Sequence, residues 1–211
     1  MAERGRPRNF DRVDVLRRAM EVFWAKGYDG TSMSDLISAM GVNSPSIYAA
    51  FGSKEELFRE AVVLYLATEG GRIWGAMTTA PSARMAIETM LHISAEAFTQ
   101  PGKPHGCLIA LGALHADDGN ETVRRELQDH RAKTMTMLLH RLKRGVAEDD
   151  LPDGPDWQAI ANFYITVQQG MSIQARDGAS CKTLLAVAEC AMAAWDGLIS
   201  VPMDELRRTP V

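Results

Sequence analysis

TSMSDLISAMGVNSPSIYAAFGSKEEL, residues Thr31 to Leu57, reads as two short helices joined by a tight glycine turn, with a third helix opening behind them. Ser32 followed by Asp35 has the spacing of a capping box, and Ser53 followed by Glu56 repeats it. Between them Met33, Leu36, Ile37 and Met40, then Ile47 and Tyr48, fall at helical intervals. Gly41 stands where the first helix must stop and turn, because glycine takes a positive φ without steric cost. Asn43 can cap the next helix, and Pro45 fits its first turn, where a missing N–H does no harm. That second helix is about two turns long, too short to be stable alone. A short helix held by its neighbours, with small polar residues outward, is the pattern of a helix-turn-helix recognition element.

The same run resembles the DNA-binding domain of TetR-type repressors. The resemblance is carried by Thr31, Ser32, Asp35, Leu36, Gly41, Val42, Asn43, Ser46, Ile47, Tyr48, Phe51, Ser53, Lys54, Glu55 and Leu57, all in register. It covers roughly residues 9–58; the remaining two thirds shares only helical character with that family. It implies a homodimer whose last two helices, about residues 156–199, form a four-helix bundle across a two-fold axis.

Working outward, Asp11 to Lys26 forms the preceding helix, with Val15, Leu16, Ala19, Met20 and Phe23 on one face and Gly27 as its stop. Ahead of it lies Arg4-Gly5-Arg6-Pro7-Arg8. Gly and Pro keep this arm extended, and Arg6 and Arg8 suit a narrow, electronegative minor groove. The string also looks like the core of an AT-hook. Within the helix-turn-helix, Thr31 or Ser32, Tyr48 and Lys54 are the expected phosphate contacts. Asn43, Ser44, Ser46 and Ala49 are left to meet base edges. The recognition helix carries no Arg, Lys or Gln, so bidentate reading of guanine is not available to it.

Downstream the chain is helical throughout. A helix from Ser53 should reach Gly70 or Trp74, where Gly70, Gly71 and Gly75 loosen its end. Ser82–Thr99, Cys107–Leu114, Asn120–Glu148, Asp156–Arg176 and Ser180–Ile199 follow, each with an apolar stripe at intervals of three or four. No strand signal, repeat or low-complexity segment appears. The expected fold is all-α with nine or so helices: an N-terminal three-helix helix-turn-helix domain (1–56), then a larger helical ligand-binding and dimerisation domain (57–211).

The net charge of −4 is uneven. Residues 1–18 hold six arginines against three acids, whereas residues 61–211 hold 14 basic against 18 acidic side chains. A local patch suffices to engage phosphates, so the overall charge leaves a nucleic-acid partner open. The longest apolar runs, Ala61–Ala67 and Leu108–Leu114, fall far short of the ~20 residues that span a bilayer. The arginine-rich N-terminus lacks the apolar core of a signal peptide. Cys107, Cys181 and Cys190 show no zinc-like spacing. A reduced, cytoplasmic compartment fits, with no cofactor and no metal.

An effector pocket is expected among the middle helices, lined by Trp74, Met77, Met90, Phe98, Met135, Phe163, Tyr164 and Met171, the methionines giving adaptable walls. Cys107 follows Pro104-His105-Gly106 at an expected helix start, where a thiolate would be favoured; it reads either as a redox or electrophile sensor or as a small buried hydrophobe. His105, Cys107 and His115 form a weaker metal option, since eight residues from Cys107 to His115 is no single-turn spacing. His92, His130 and His140 read as surface or satisfied residues. A Cys107–His105 nucleophile pair would lack an orienting third group, and no glycine-rich phosphate loop, HExxH or GxSxG is present, so no enzyme is expected. The expected partners are double-stranded operator DNA, a small-molecule effector and a second copy of the chain. The chain reads as a ligand-responsive transcriptional regulator, released from a palindromic operator by its effector.

Overall fold

The computed structural model describes residues 11–113 and 120–200. Among the described residues there are eleven α-helices and one π-helical turn, and no strand. The basic arm with Arg6 and Arg8, and His115, lie outside the described residues.

The head starts at α1, Arg12–Lys26. Asp11 caps it by accepting from the N–H of Val13 and Asp14, and Gly27 ends it at φ 71°. In α2, Met33–Met40, the capping box is complete, and Gly41 closes the helix in the left-handed region at φ 69°. Asn43 then caps α3, Ser44–Phe51, through its side chain, with Pro45 in the first turn. Ser53 caps α4, Lys54–Tyr65. This second cap is one-way: Ser53 N–H goes to Phe51 O at 3.1 Å, so the Glu56 carboxylate has no return donor.

The helix after Ser53 runs further than expected. After α4 comes the π-helical turn Leu66–Gly70, then α5, Gly71–Thr79, with the backbone staying right-handed helical from Tyr65 through Gly71. A Cβ on Gly71 would stand 2.9 Å from Leu66 O. The glycines here accommodate the wider turn and do not end the helix.

The body continues with α6, Ala83–Phe98; α7, Leu108–Leu111; α8, Glu121–Ala147; α9, Trp157–Arg176; α10, Cys181–Ala193; and α11, Trp195–Ser200. The expected single last helix is thus broken at Ala194, and α7 is a single turn. The span Cys181–Ser200 has a mean hydropathy of 1.3, and by length and composition it would pass as a membrane span, a property missed by counting uninterrupted apolar runs. It packs through Leu184, Ala188, Ala191 and Trp195 and leaves its other face open.

Two apolar clusters hold the molecule. One joins α1 to α4 with Leu108, Ile109, Ala113, Val123 and Leu127. Its centre is aromatic: Phe23 and Phe58 meet edge-on at 5.0 Å, and Tyr28 and Phe58 at 5.1 Å. The other gathers α5, α6, α9, α10 and the second half of α8. Cys107 packs against both. The apolar core of the head therefore continues through α4 into α7 and the start of α8.

Candidate nucleic-acid interface and ligand cleft

Helix α3 stands on Ile47 and Phe51, which are buried, and turns Asn43, Pro45, Tyr48 and Ala49 to solvent. Tyr48 is 48% exposed, unusual for a large ring on a helix this short. Its surface is held rigidly from behind. Arg12 donates to Ala50 O at 3.3 Å, pairs with Glu60 at 2.7 Å and lies 4.4 Å over the Phe51 ring. A fixed, outward, uncharged helix of two turns matches the depth of a major groove.

Several expected contacts have other duties. Thr31 is 1% exposed and its hydroxyl donates to Gly27 O at 2.6 Å, so it closes the α1–α2 turn and is not a phosphate ligand. The Ser32 hydroxyl donates to Asp35 Oδ2 at 2.8 Å and accepts from Asp35 N–H at 3.1 Å, so this side chain is committed to the cap. Asn43 Oδ1 accepts from Ser46 N–H at 3.0 Å, so only its amide donors remain for a base, and Ser46 is half-buried. Ser44 is half-buried at the first position of α3. The Lys54 ammonium sits 4.2 Å over the Tyr28 ring, and burial pushes its pKa down, so it is a half-sheltered cation and no free surface charge. Pro45 shares the outer face with Ala49, four residues on, and was missed because proline reads first as a helix starter.

Asp35 does more than cap. Lys26 meets it at 2.6 Å, and that ammonium, followed by the Ser32 N–H and hydroxyl, holds the carboxyl well below the usual carboxylate range. Helices α1 and α2 are thereby tied at the surface.

In the body, a half-open cleft encloses roughly 450 Å³ of empty space, solvent at its mouth included. Tyr65 at the end of α4, Leu66 and Gly70 of the π turn and Ile73 and Trp74 of α5 form one wall. Cys107, Ile109 and Ala110 form the second, and Arg131, Thr134, Gln168 and Gln169 the third. Of the expected lining, Trp74 and Cys107 are at this cleft. Met77, Met90, Phe98, Tyr164 and Met171 are not: each is at most 1% exposed within the packed core, where an unbranched or aromatic side chain fills space between helices. Met135 packs against that core half-buried, and Phe163, 38% exposed, points outward from α9. The polar wall of Arg131 and the two glutamines was missed because charged residues on α8 read as its solvated face.

Around Cys107 the chain is pinned on all sides. Gly106, at φ 78°, lies so close to α9 that a Cβ would stand 2.7 Å from Ser172 O. Cys107 N–H donates to Ser172 Oγ at 2.8 Å, and Trp24 Nε1 donates to Gly106 O at 2.8 Å. The Tyr65 phenol lies against the Cys107 thiol and the Leu108 N–H, and burial foremost pushes its pKa well up, so it stays a proton donor. Among the described residues no group of His, Cys, Asp and Glu is arranged to hold a metal, and the His105 carbonyl is taken by Arg176 at 2.8 Å.

Residues 15–61 match the model of the bacterial regulatory proteins of the tetR family, and residues 85–183 match that of the tetracyclin repressor-like C-terminal domain. The HTH-type transcriptional repressor ComR of Escherichia coli (strain K12) is 31% identical over 197 residues, covering 93% of this chain and 94% of ComR. The repressor BdcR of the same organism is 29% identical over 187 residues, 89% of this chain and 90% of BdcR. Among solved structures, a cysteine mutant of the regulator CifR, complexed with a 26-base-pair double-strand operator DNA, is similar at TM-score 0.87 and 43% identity, over 90% of this chain and 100% of that one.

Proposed function

Because the chain belongs to the TetR family of DNA-binding transcriptional regulators, we propose that it is a homodimeric repressor that a small molecule releases from a palindromic operator. The observation that carries the reading is α3 itself, whose Asn43, Pro45, Tyr48 and Ala49 face solvent on a helix buttressed from below. Residues 1–56 serve as the reading head and 57–211 as the regulatory body. Asn43, Ser44 and Ala49 meet bases, Tyr48 and the N-termini of α2 and α4 meet phosphates, and the arm with Arg6 and Arg8 follows the minor groove. With no strong guanine reader, specificity rests on short polar contacts, thymine methyls and duplex shape.

The dimer forms through α9 and α10. Phe163 and Ile173, 38% and 48% exposed, lie on α9, and the open side of α10 carries Ala186, Cys190 and Ala193, small residues that let a partner helix approach. Two heads then sit about one helical turn of DNA apart, roughly 34–36 Å. The effector occupies the cleft of Trp74 and Cys107, and it weakens operator binding by its differential affinity for the two spacings of the heads. The protein acts in the cytoplasm and performs no catalysis. Purified protein should retard a duplex from upstream of its own gene, and Tyr48→Ala combined with Ala49→Glu should abolish the retardation while circular dichroism stays unchanged; equal retardation by the double variant would refute the assignment of the interface.

A second reading is favoured by one observation: the Cys107 thiol lines the cleft beside the Tyr65 phenol. In that reading Cys107 senses oxidants or electrophiles, and its modification releases the operator. Mass spectrometry after mild alkylation, run beside operator retardation, decides it. Release that persists unaltered in Cys107→Ser removes the sensing role.

A further inference from the structure

Among the described residues the charge in the cleft lining is one-sided: Arg131 is its cation, and that lining includes no Asp or Glu. Two described acids on the same helices are already matched: Glu69 with Lys103 at 2.5 Å, and Glu126 with Arg59 at 2.5 Å. Among the described residues, Arg131 makes one hydrogen bond, from Nη1 to Ile109 O at 2.8 Å, and that bond fixes the guanidinium against α7. A guanidinium carries five N–H donors, so the rest of its fork is available. Burial foremost pushes its pKa down, the nearby Cys107 thiol works against that shift, and Arg124 adds repulsion, so the site holds a partly desolvated charge that an anion would compensate.

Around Arg131, Tyr65 is a buried phenol held protonated, and Gln168 is anchored by its Nε2 on Ser94 Oγ at 3.3 Å. The Thr134 hydroxyl spends its proton on His130 O at 2.9 Å, so the Arg131 guanidinium is the main donor left for a guest. Facing them, Leu66, Ile73 and Trp74 offer an apolar wall. A guanidinium at one end and hydrocarbon at the other describe an amphipathic molecule with an anionic head.

We propose that the cleft binds a small apolar carboxylate, its carboxylate paired with Arg131 and its hydrocarbon laid against Trp74 and Ile73. This rests on the reading of the cleft as the effector site, and it names the chemical class that site takes.

The test uses the full chain with benzoate and hexanoate, each set against its neutral isostere, benzamide and hexanamide. Binding is read by quenching of Trp74 fluorescence, with Trp74→Phe as the control for location, and by the rise in melting temperature. Both carboxylates should bind about ten- to a hundredfold more tightly than their amides, the range of a hydrogen bond to a charged group. Arg131→Gln should erase that preference with circular dichroism unchanged, and Arg131→Lys should keep part of it. Amides that bind as tightly as carboxylates overturn the proposal, and so does a preference that survives Arg131→Gln. Absence of quenching by all four compounds overturns it too. Neutral compounds that quench Trp74 and release operator would leave the effector-site reading standing while removing the anionic head. A wild-type protein that never retards DNA would instead sink the regulator reading, and the quenching result would still be readable.

Discussion

Arg176 bridges head and body with three hydrogen bonds, and replacing it with Met should cost about 2–3 kcal/mol. The carbonyls at the end of a helix have no intrahelical donor. In α1, Phe23 O is met by Gly27 N–H, while Trp24 O and Ala25 O are met by Arg176 of α9 at 2.8 and 2.7 Å. The same guanidinium donates through Nε to His105 O at 2.8 Å. One cation thus caps α1 from the body and pins the loop before α7, the arrangement that a helix C-terminus favours. The Ala25 bond is exposed, so water replaces it at little cost. The bonds to Trp24 O and His105 O are half-buried, and each contributes about 1–1.5 kcal/mol. Methionine keeps the apolar stem and removes only these bonds. Urea unfolding at fixed protomer concentration measures the difference, since a dimer's stability depends on concentration. A parallel melting scan should fall by about 6 °C. Arg176→Lys, which cannot fork, should recover less than half of the loss. A methionine variant as stable as the parent would refute the clasp and show that Trp24 Nε1 on Gly106 O suffices to hold the head.

Other consequences are read more quickly. Ser32→Ala removes the hydroxyl of the α2 capping box and should destabilise by about 1 kcal/mol with no change in the helix content of the body, as seen by thermal unfolding. Asp35 is held below its unfolded value by Lys26, so its contribution is full above the ordinary aspartate pKa of about 4 and is lost as the pH falls below it. Asp35→Asn should therefore flatten the acid side of a melting-temperature profile, and an unchanged slope there would contradict the pairing. Tyr48→Ala alone should weaken operator binding by about tenfold, because one aromatic contact is lost from an exposed position; equal affinity in fluorescence anisotropy would show that α3 does not approach the duplex as described.

What was legible came from local chemistry. Ser32 with Asp35, Gly41, Asn43 and Pro45 act within a few residues of themselves, and the turn they specify is the one observed. Thr31 misled because a hydroxyl beside a cap looks available until tertiary packing buries it. The same limit explains the pocket. Met77, Met90 and Met171 carry the right chemistry for an adaptable wall, but which side of a helix faces a void depends on how three helices pack. Arg176 reaches carbonyls more than 150 positions away in the chain, and no spacing rule announces such a contact. The π turn was hidden for another reason: Gly70-Gly71 suits both a fraying helix and a widened one, and only the approach to Leu66 O separates them.

The central claim is that two copies of α3, presented by one dimer, read DNA. Selection of duplexes from a random pool by the purified full-length protein tests it most directly. The dimer should enrich an inverted repeat with half-sites about one helical turn apart, bound by an even number of subunits, with affinity falling steeply as salt rises. Absence of any enriched sequence, or an enriched single half-site held by one subunit, would contradict it.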